Sequence, residues 1–322
     1  MVGAGRLFNR GVFSDTIYLP LVASTVYMRV LMTGASGTVG SALLKQLGDR
    51  EEYEYEFTCL DLAPNDHPEH DTVAADITDL ETLREHVAGH DAVVHLAAAV
   101  DLSSDWETIL QANIVGTYNV LQAAAAAEVE TVVFASSIHT VGLFEIEHSP
   151  AIYDPEHELT VTRETPVRPD SLYGLSKVFG EAAGRFFVEN QPNPLSEALP
   201  TYAVNSRAYP TSFYSVRIKT VLDEQYDHPY GLAEMGVDGG YFSRGSDAYE
   251  LLADRLKCTW LSHRDLAQLI DRCLQDETVE YDTFWGVSDN DGTWVDLTHT
   301  RRFSDTTLPT TARRGLALPS DE

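Results

Sequence analysis

An α/β fold, a doubly wound parallel sheet with a small C-terminal substrate-binding part, is predicted by three observations. From Met28 onward, short apolar strands alternate with helix-length segments. A glycine-rich turn, Thr33 to Gly40, leaves the first strand and opens the first helix. An acidic residue, Asp61, closes the second strand 21 residues after Gly40, the spacing of a Rossmann-type dinucleotide-binding βαβ unit.

The elements follow in order. Val30 to Met32 reads as the first strand, and Leu43, Leu44 and Leu47 mark the helix after it by their spacing. Phe57 to Leu60 is the second strand, and a further strand precedes Asp76. Residues 80–88 read as a helix, Ala92 to Leu96 as a buried strand, 106–127 as one long alanine-rich helix, and Val132 to Ala135 as the next strand. A proline-bearing loop leads to a helix over 170–190, which sets Tyr173 and Lys177 one turn apart on one face. For the sixth strand, 202–208 and Ser215 to Val221 compete, and the second is preferred. The Gly-, Tyr- and Asp-rich segment 223–250 reads as a long loop, with room for a short helix, covering a substrate site. Ser262 to Gln275 is a helix and Thr283 to Val287 a strand. Residues 1–27 read as an extension ahead of a natural start at Met28: Pro20 splits the apolar run and there is no twin-arginine pair, so a signal peptide is disfavoured. The expected organisation is then a nucleotide-binding domain over 28–190, a substrate-binding part over 191–300 interleaved with the last strands, and a polar, partly disordered tail over 301–322.

Charge excludes some partners. The 22 basic against 50 acidic residues give a net charge of −28, which repels a phosphate backbone and makes nucleic acid a poor partner. Only Lys45, Lys177, Lys219 and Lys257 are lysines, a lysine-poor acidic balance that points to a salt-rich cytoplasm, where self-repulsion is screened over a few ångströms. Cys59, Cys258 and Cys273 lie far apart, without a disulfide or zinc-ribbon spacing, which suits a reducing compartment. No apolar run reaches membrane-spanning length. The pairs His67/His70 and His86/His90 have ligand-like spacing but no third ligand, so no metal is expected.

The glycine turn lets backbone N–H groups approach a pyrophosphate, while a carboxylate at Asp61 accepts ribose hydroxyls and repels a 2′-phosphate, favouring NAD over NADP. In Tyr173-x-x-x-Lys177, a lysine one turn away stabilises the phenolate, so that the tyrosine can take a proton from a substrate hydroxyl. Ser137 can hydrogen-bond the same oxygen as charge develops on it.

With these residues, Asp76-Ile77, His95-Leu96-Ala97-Ala98, Asn113-Ile114-Val115-Gly116-Thr117 and Ser136-Ser137 complete an ordered set over about 28–190 that resembles the extended short-chain dehydrogenase/reductases, the NAD-dependent epimerase/dehydratase family. The resemblance implies NAD contacts at Gly34, Ser36, Gly37, Thr38, Val39, Gly40, Asp61, Leu62, Asp76, Ile77, Leu96, Ala97, Ala98, Asn113, Ala135, Tyr173 and Lys177. It implies Tyr173, Lys177 and Ser137 as the catalytic set, with Asn113 helping to position the lysine and a relay water.

Phe134 to Gly142, Arg168 to Gly174, Ser215 to Ile218, Arg255 with Trp260 to Asp265, and Trp285 to Ser288 narrow the resemblance to uronate dehydrogenases and archaeal NAD-dependent glucose-6-phosphate dehydrogenases. Both oxidise the C1 hydroxyl of a cyclic anionic sugar to a lactone. By that resemblance Ser137, Ile138, His139 and Thr220 contact the sugar and Arg255 grips its anion with a planar guanidinium; apart from the resemblance, Lys257, two residues on, is placed to add charge for a phosphate. Val141-Gly142 and Ile218 to Val221 depart from the nucleotide-sugar 4-epimerase pattern, the first rival. The second rival, a non-catalytic NAD-sensing regulator, commonly lacks the tyrosine or lysine. The segments 143–168 and 190–250 are longer than in compact members. Relatives commonly pair through the helices over 106–127 and 170–190, so a homodimer or higher oligomer is expected.

Overall fold

A computed structural model describes residues 27–304 apart from 49–54, 64–69, 190–193, 198 and 200–207. Seven parallel strands form one sheet in the order β3-β2-β1-β4-β5-β6-β7. They are β1 (Met28–Thr33), β2 (Tyr55–Asp61), β3 (Asp71–Ala74), β4 (Ala92–His95), β5 (Thr131–Ser137), β6 (Ser212–Ile218) and β7 (Tyr281–Gly286). The order reverses direction between β1 and β4, and such a switch leaves a crevice beyond the strands' carboxyl ends.

Alternation along the strands builds two apolar layers. Val30, Met32, Ala92 and Val94 face one cluster with α1 (Thr38–Leu43), Leu44, Leu47 and helix residues Leu266, Leu269 and Ile270. Leu31, Val93 and Val132 face the other, with α2 (Leu80–Val87) and residues Val120 to Ala124. The long helix over 106–127 is interrupted: α3 (Trp106–Ile109) and α4 (Gly116–Ala126) flank a π-helical stretch, Leu110–Val115. Beyond β5 come α5 (Gly142–His148) and α6 (Leu172–Val188), the latter capped by the Ser171 hydroxyl, which accepts from the Gly174 N–H.

Several boundaries differ from expectation. β6 runs from Ser212 to Ile218, three residues earlier than Ser215 to Val221, and the competing 202–208 lies almost wholly outside the described residues. Every residue of β6 is buried, so no alternation marks its start; Thr220 leaves the sheet to bridge Trp260. The segment 223–250 is not a long loop. It carries α7 (Gly231–Asp238) and the start of α8 (Asp247–Thr259), held by Ala233, Tyr249 and Ala253 around a small core of their own. Its glycines hid the helical periodicity. α9 (His263–Gln275) is capped by Ser262, and α10 (Thr298–Ser304) extends into the expected tail, where buried Thr300 accepts the Trp285 N–H. The remainder of the tail, residues 1–26 of the extension, and His67 lie outside the described residues. His70 packs edge-on against Phe57, and His90 Nε2 meets the Thr58 hydroxyl at 2.9 Å. Among the described residues no helix is long and apolar enough to cross a membrane.

Candidate active site

A cavity of about 970 Å³ occupies the crevice at the carboxyl ends of the strands. The turn after β1 forms one end. Gly34 has φ +74°, and a Cβ there would stand 2.5 Å from the Ala97 nitrogen; a Cβ on Gly40 would stand 2.4 Å from the Ala35 carbonyl oxygen. Backbone thus comes as close to backbone as glycine permits, leaving the turn open to the cavity. Asp61 faces the same turn: its carboxylate accepts from the Ser36 N–H at 2.9 Å and from the Leu62 N–H at 2.8 Å. Of the seventeen residues expected to hold the cofactor, all but Asn113 line this cavity. A pyrophosphate-and-ribose ligand fits these groups, since the turn offers exposed backbone and Asp61 keeps acceptor lone pairs. Replacing Asp61 with Asn should move the kcat/KM preference toward NADP by about 10-fold, the scale of a difference near 1.4 kcal/mol. Parallel NAD and NADP titrations of the variant check it, and an unchanged ratio refutes the role.

Asn113 is placed differently. Its amide oxygen accepts the Ala99 N–H at 2.7 Å, and its Nδ2 donates to the Ala99 carbonyl at 3.0 Å and to Ser176 Oγ at 2.9 Å. Those bonds occupy the side chain in clamping the loop after β4 to α6. Asn113 does not line the cavity, and its amide reaches α6 at Ser176, whose hydroxyl donates to the Tyr173 carbonyl at 2.7 Å.

At the middle of the cavity α6 brings Tyr173 and Lys177 beside Ser137, the last residue of β5. Lys177 Nζ lies 4.9 Å from the centre of the Phe134 ring and 5.4 Å from that of Tyr173. Burial pushes the Lys177 amine down to about 7 and the Tyr173 phenol up to about 12, with hydrogen bonding to Ser137 pulling the phenol the other way. Both shifts favour the uncharged form: the tyrosine keeps its proton, while the lysine gives one up more readily than an exposed amine. His139 packs edge-on against Tyr173 with ring centres 5.7 Å apart, and its Nδ1 meets Asp170 Oδ2 at 2.7 Å.

The substrate end departs most from expectation. Ser137 and His139 line the cavity, but Ile138, Thr220, Arg255 and Lys257 do not. Ile138 is buried in an apolar cluster with Val141, Ile152 and Trp285. Thr220 Oγ1 donates to Thr259 Oγ1 at 3.2 Å. Arg255 is already gripping a carboxylate: Nε donates to Glu145 Oε1 at 2.7 Å and Nη2 to Oε2 at 3.4 Å, while the Tyr153 hydroxyl donates to Oε1 at 2.7 Å. Burial favours the protonated acid at Glu145, but Arg255 and Tyr153 outweigh it and hold the carboxyl below its usual range. Lys257 pairs with Asp254 at 3.3 Å and packs over Tyr230. None of residues 223–250 lines the cavity itself, but Asp223 accepts from the hydroxyl of Thr38, which does, at 2.7 Å. Sequence reasoning missed Lys219 and Glu145. The signal for Lys219 was its rarity, one of four lysines, and its place inside the stretch expected as the sixth strand.

Comparison with known proteins agrees with this architecture. The NAD dependent epimerase/dehydratase family model matches residues 30–191. The NAD-dependent glucose-6-phosphate dehydrogenase of Haloferax volcanii is 31% identical over 280 residues, covering 84% of this chain and 89% of the relative. The uronate dehydrogenase of Pseudomonas putida is 28% identical over 278 residues, covering 86% and 83%. Among solved structures, the uronate dehydrogenase from Agrobacterium tumefaciens superposes with a TM-score of 0.65 at 27% identity, over 89% of this chain and 86% of that one.

Proposed function

The chain belongs to the NAD-dependent epimerase/dehydratase family, and from that premise we propose that it is an NAD-dependent sugar dehydrogenase, oxidising the C1 hydroxyl of a cyclic anionic sugar to the lactone. The observation that carries the reading is the meeting of Tyr173, Lys177 and Ser137 in the same cavity as the glycine turn and Asp61. Tyr173 takes the proton of the C1 hydroxyl. Ser137 donates to the oxygen as it gains carbonyl character, and Lys177 stabilises the phenolate and takes part in passing the proton on. NAD, when bound, supplies the two-electron acceptor. The lactone product retains the ring oxygen, so no water is consumed in the oxidation itself.

The test is NADH formation in concentrated KCl from glucuronate, galacturonate and glucose 6-phosphate offered separately. Turnover on any of them supports the reading. Absence of net NADH from all three, with interconversion of UDP-sugars, overturns it in favour of an epimerase.

The Tyr173–Lys177 pair must start with one proton fewer than its full complement, and burial brings the first loss to about pH 7 at Lys177. Activity is therefore expected to rise as pH rises through about 7 and to fall by about tenfold per unit below it. A flat kcat/KM profile from pH 5 to 8 contradicts this.

We further propose a homodimer, supported by the exposed apolar side chains Trp106, Tyr118, Leu172, Leu175 and Phe186 on α3, α4 and α6. Light scattering in high salt that finds only monomer removes it. Cys59, Cys258 and Cys273 are buried and in no disulfide among the described residues, which supports a cytoplasmic location, and the charge of −28 supports a halophilic one.

A further inference from the structure

β6 ends at Ile218, and the next residue, Lys219, lines the cavity beside it while remaining 8% exposed. Among the described residues its Nζ meets only neutral acceptors: it donates to the Cys258 carbonyl at 3.3 Å and to Thr293 Oγ1 at 3.2 Å, and it stands 4.2 Å from the centre of the Trp294 ring. Both hydrogen bonds are at the long end of the range, and an ammonium has a third N–H to give.

The surroundings leave a positive charge uncompensated. Glu145 is the carboxylate that acts on Lys219, and Arg255 already holds it through two nitrogens. The group therefore contains two cations, Lys219 and Arg255, against one carboxylate. A buried cation without a carboxylate in contact is costly, and it is relieved when an anion arrives. Burial brings the Lys219 amine down to about 7, so an incoming anion also draws a proton onto it. Arg255 offers no such gain, because its guanidinium is turned to Glu145 and does not line the cavity.

We infer that Lys219, and not Arg255, holds the anionic group of the sugar, with Glu145 keeping Arg255 behind it as a fixed positioning charge. The inference rests on the sugar dehydrogenase reading above. A carboxylate and a phosphate are both suited to a lysine ammonium, a compact point charge without the bidentate preference of arginine.

The experiment compares wild type with Lys219→Gln on charged sugars and their uncharged counterparts: glucuronate and glucose 6-phosphate against glucose, galacturonate against galactose. Two readouts are taken at fixed KCl: kcat/KM with NAD, and calorimetric affinity of the NADH-loaded protein, in which no oxidation occurs. The expected result is that the preference for the charged over the uncharged sugar falls by about 10-fold or more in both readouts, the loss expected when a charge-assisted hydrogen bond disappears. The pair showing the larger fall distinguishes carboxylate from phosphate. Equal loss on charged and uncharged sugars marks a structural role and overturns the inference, as does a preference within twofold of wild type. If the wild-type protein forms no NADH from any sugar, the dehydrogenase reading fails, and the calorimetric preference alone still decides the role of Lys219.

Discussion

Replacing Tyr173 by phenylalanine is expected to lower kcat by roughly 10²- to 10⁴-fold, the contribution of a positioned general base. The hydroxyl sits in a cavity formed at the carboxyl ends of β1, β4 and β5, and Ser137 and Lys177 are its polar neighbours on β5 and α6. No other phenol or carboxylate of the catalytic set can take its place, since Asp61 belongs to the turn at the cofactor end. KM for NAD should change little, because that turn is untouched. Steady-state kinetics on the substrate that wild type prefers, with NADH affinity measured alongside, separates the two parameters. A variant retaining more than a tenth of wild-type kcat refutes the assignment of Tyr173 as base.

The largest expected loss of stability is at Glu181. This residue of α6 is buried, and its carboxylate accepts from Arg217 Nε at 2.8 Å and Nη2 at 2.7 Å, with the Ser136 hydroxyl donating at 2.6 Å. The fork ties the helix that carries Tyr173 and Lys177 to β5 and β6. Glu181→Gln keeps the shape but removes the charge, so the Arg217 guanidinium is left buried without an anion. Breaking a buried pair in this way costs about 3–5 kcal/mol. At 2–4 °C per kcal/mol for a chain of this order, the midpoint should fall by roughly 6–20 °C. Thermal melts of both proteins at one KCl concentration check it, and a shift under about 1 °C shows that the pair contributes nothing beyond its packing.

What was legible in the sequence was local. The glycine turn, Asp61 and the Tyr-x-x-x-Lys spacing each lie within one βαβ unit or one helical turn, so spacing alone places them, and the structure lines one cavity with them. What was not legible was pairing across distance. Glu145 and Arg255 are 110 residues apart, and nothing in either local segment says that the arginine arrives already paired. Ile138 adjoins Ser137, but the peptide turns its side chain into the apolar cluster around Trp285. The boundaries of β6 and the helices α7 and α8 were obscured by a uniformly buried strand in one case and by glycines in the other. Asn113 carried the family's signal, yet its amide is spent on Ala99 and Ser176.

Of the four lysines, Lys45 and Lys257 are ion-paired with Glu224 and Asp254, whereas Lys177 and Lys219 line the cavity and have amines that burial brings down to about 7. Only an unprotonated amine is a nucleophile. Among the lysines, acylating or reductive-alkylating reagents used near neutrality should therefore modify Lys177 and Lys219 in preference to the ion-paired Lys45 and Lys257. A cavity-filling dinucleotide should shield Lys177, so peptide mapping of protected and unprotected samples would give the two lysines separate signatures. An arginine-rich, lysine-poor exterior thus makes amine chemistry a site-directed label without any engineering.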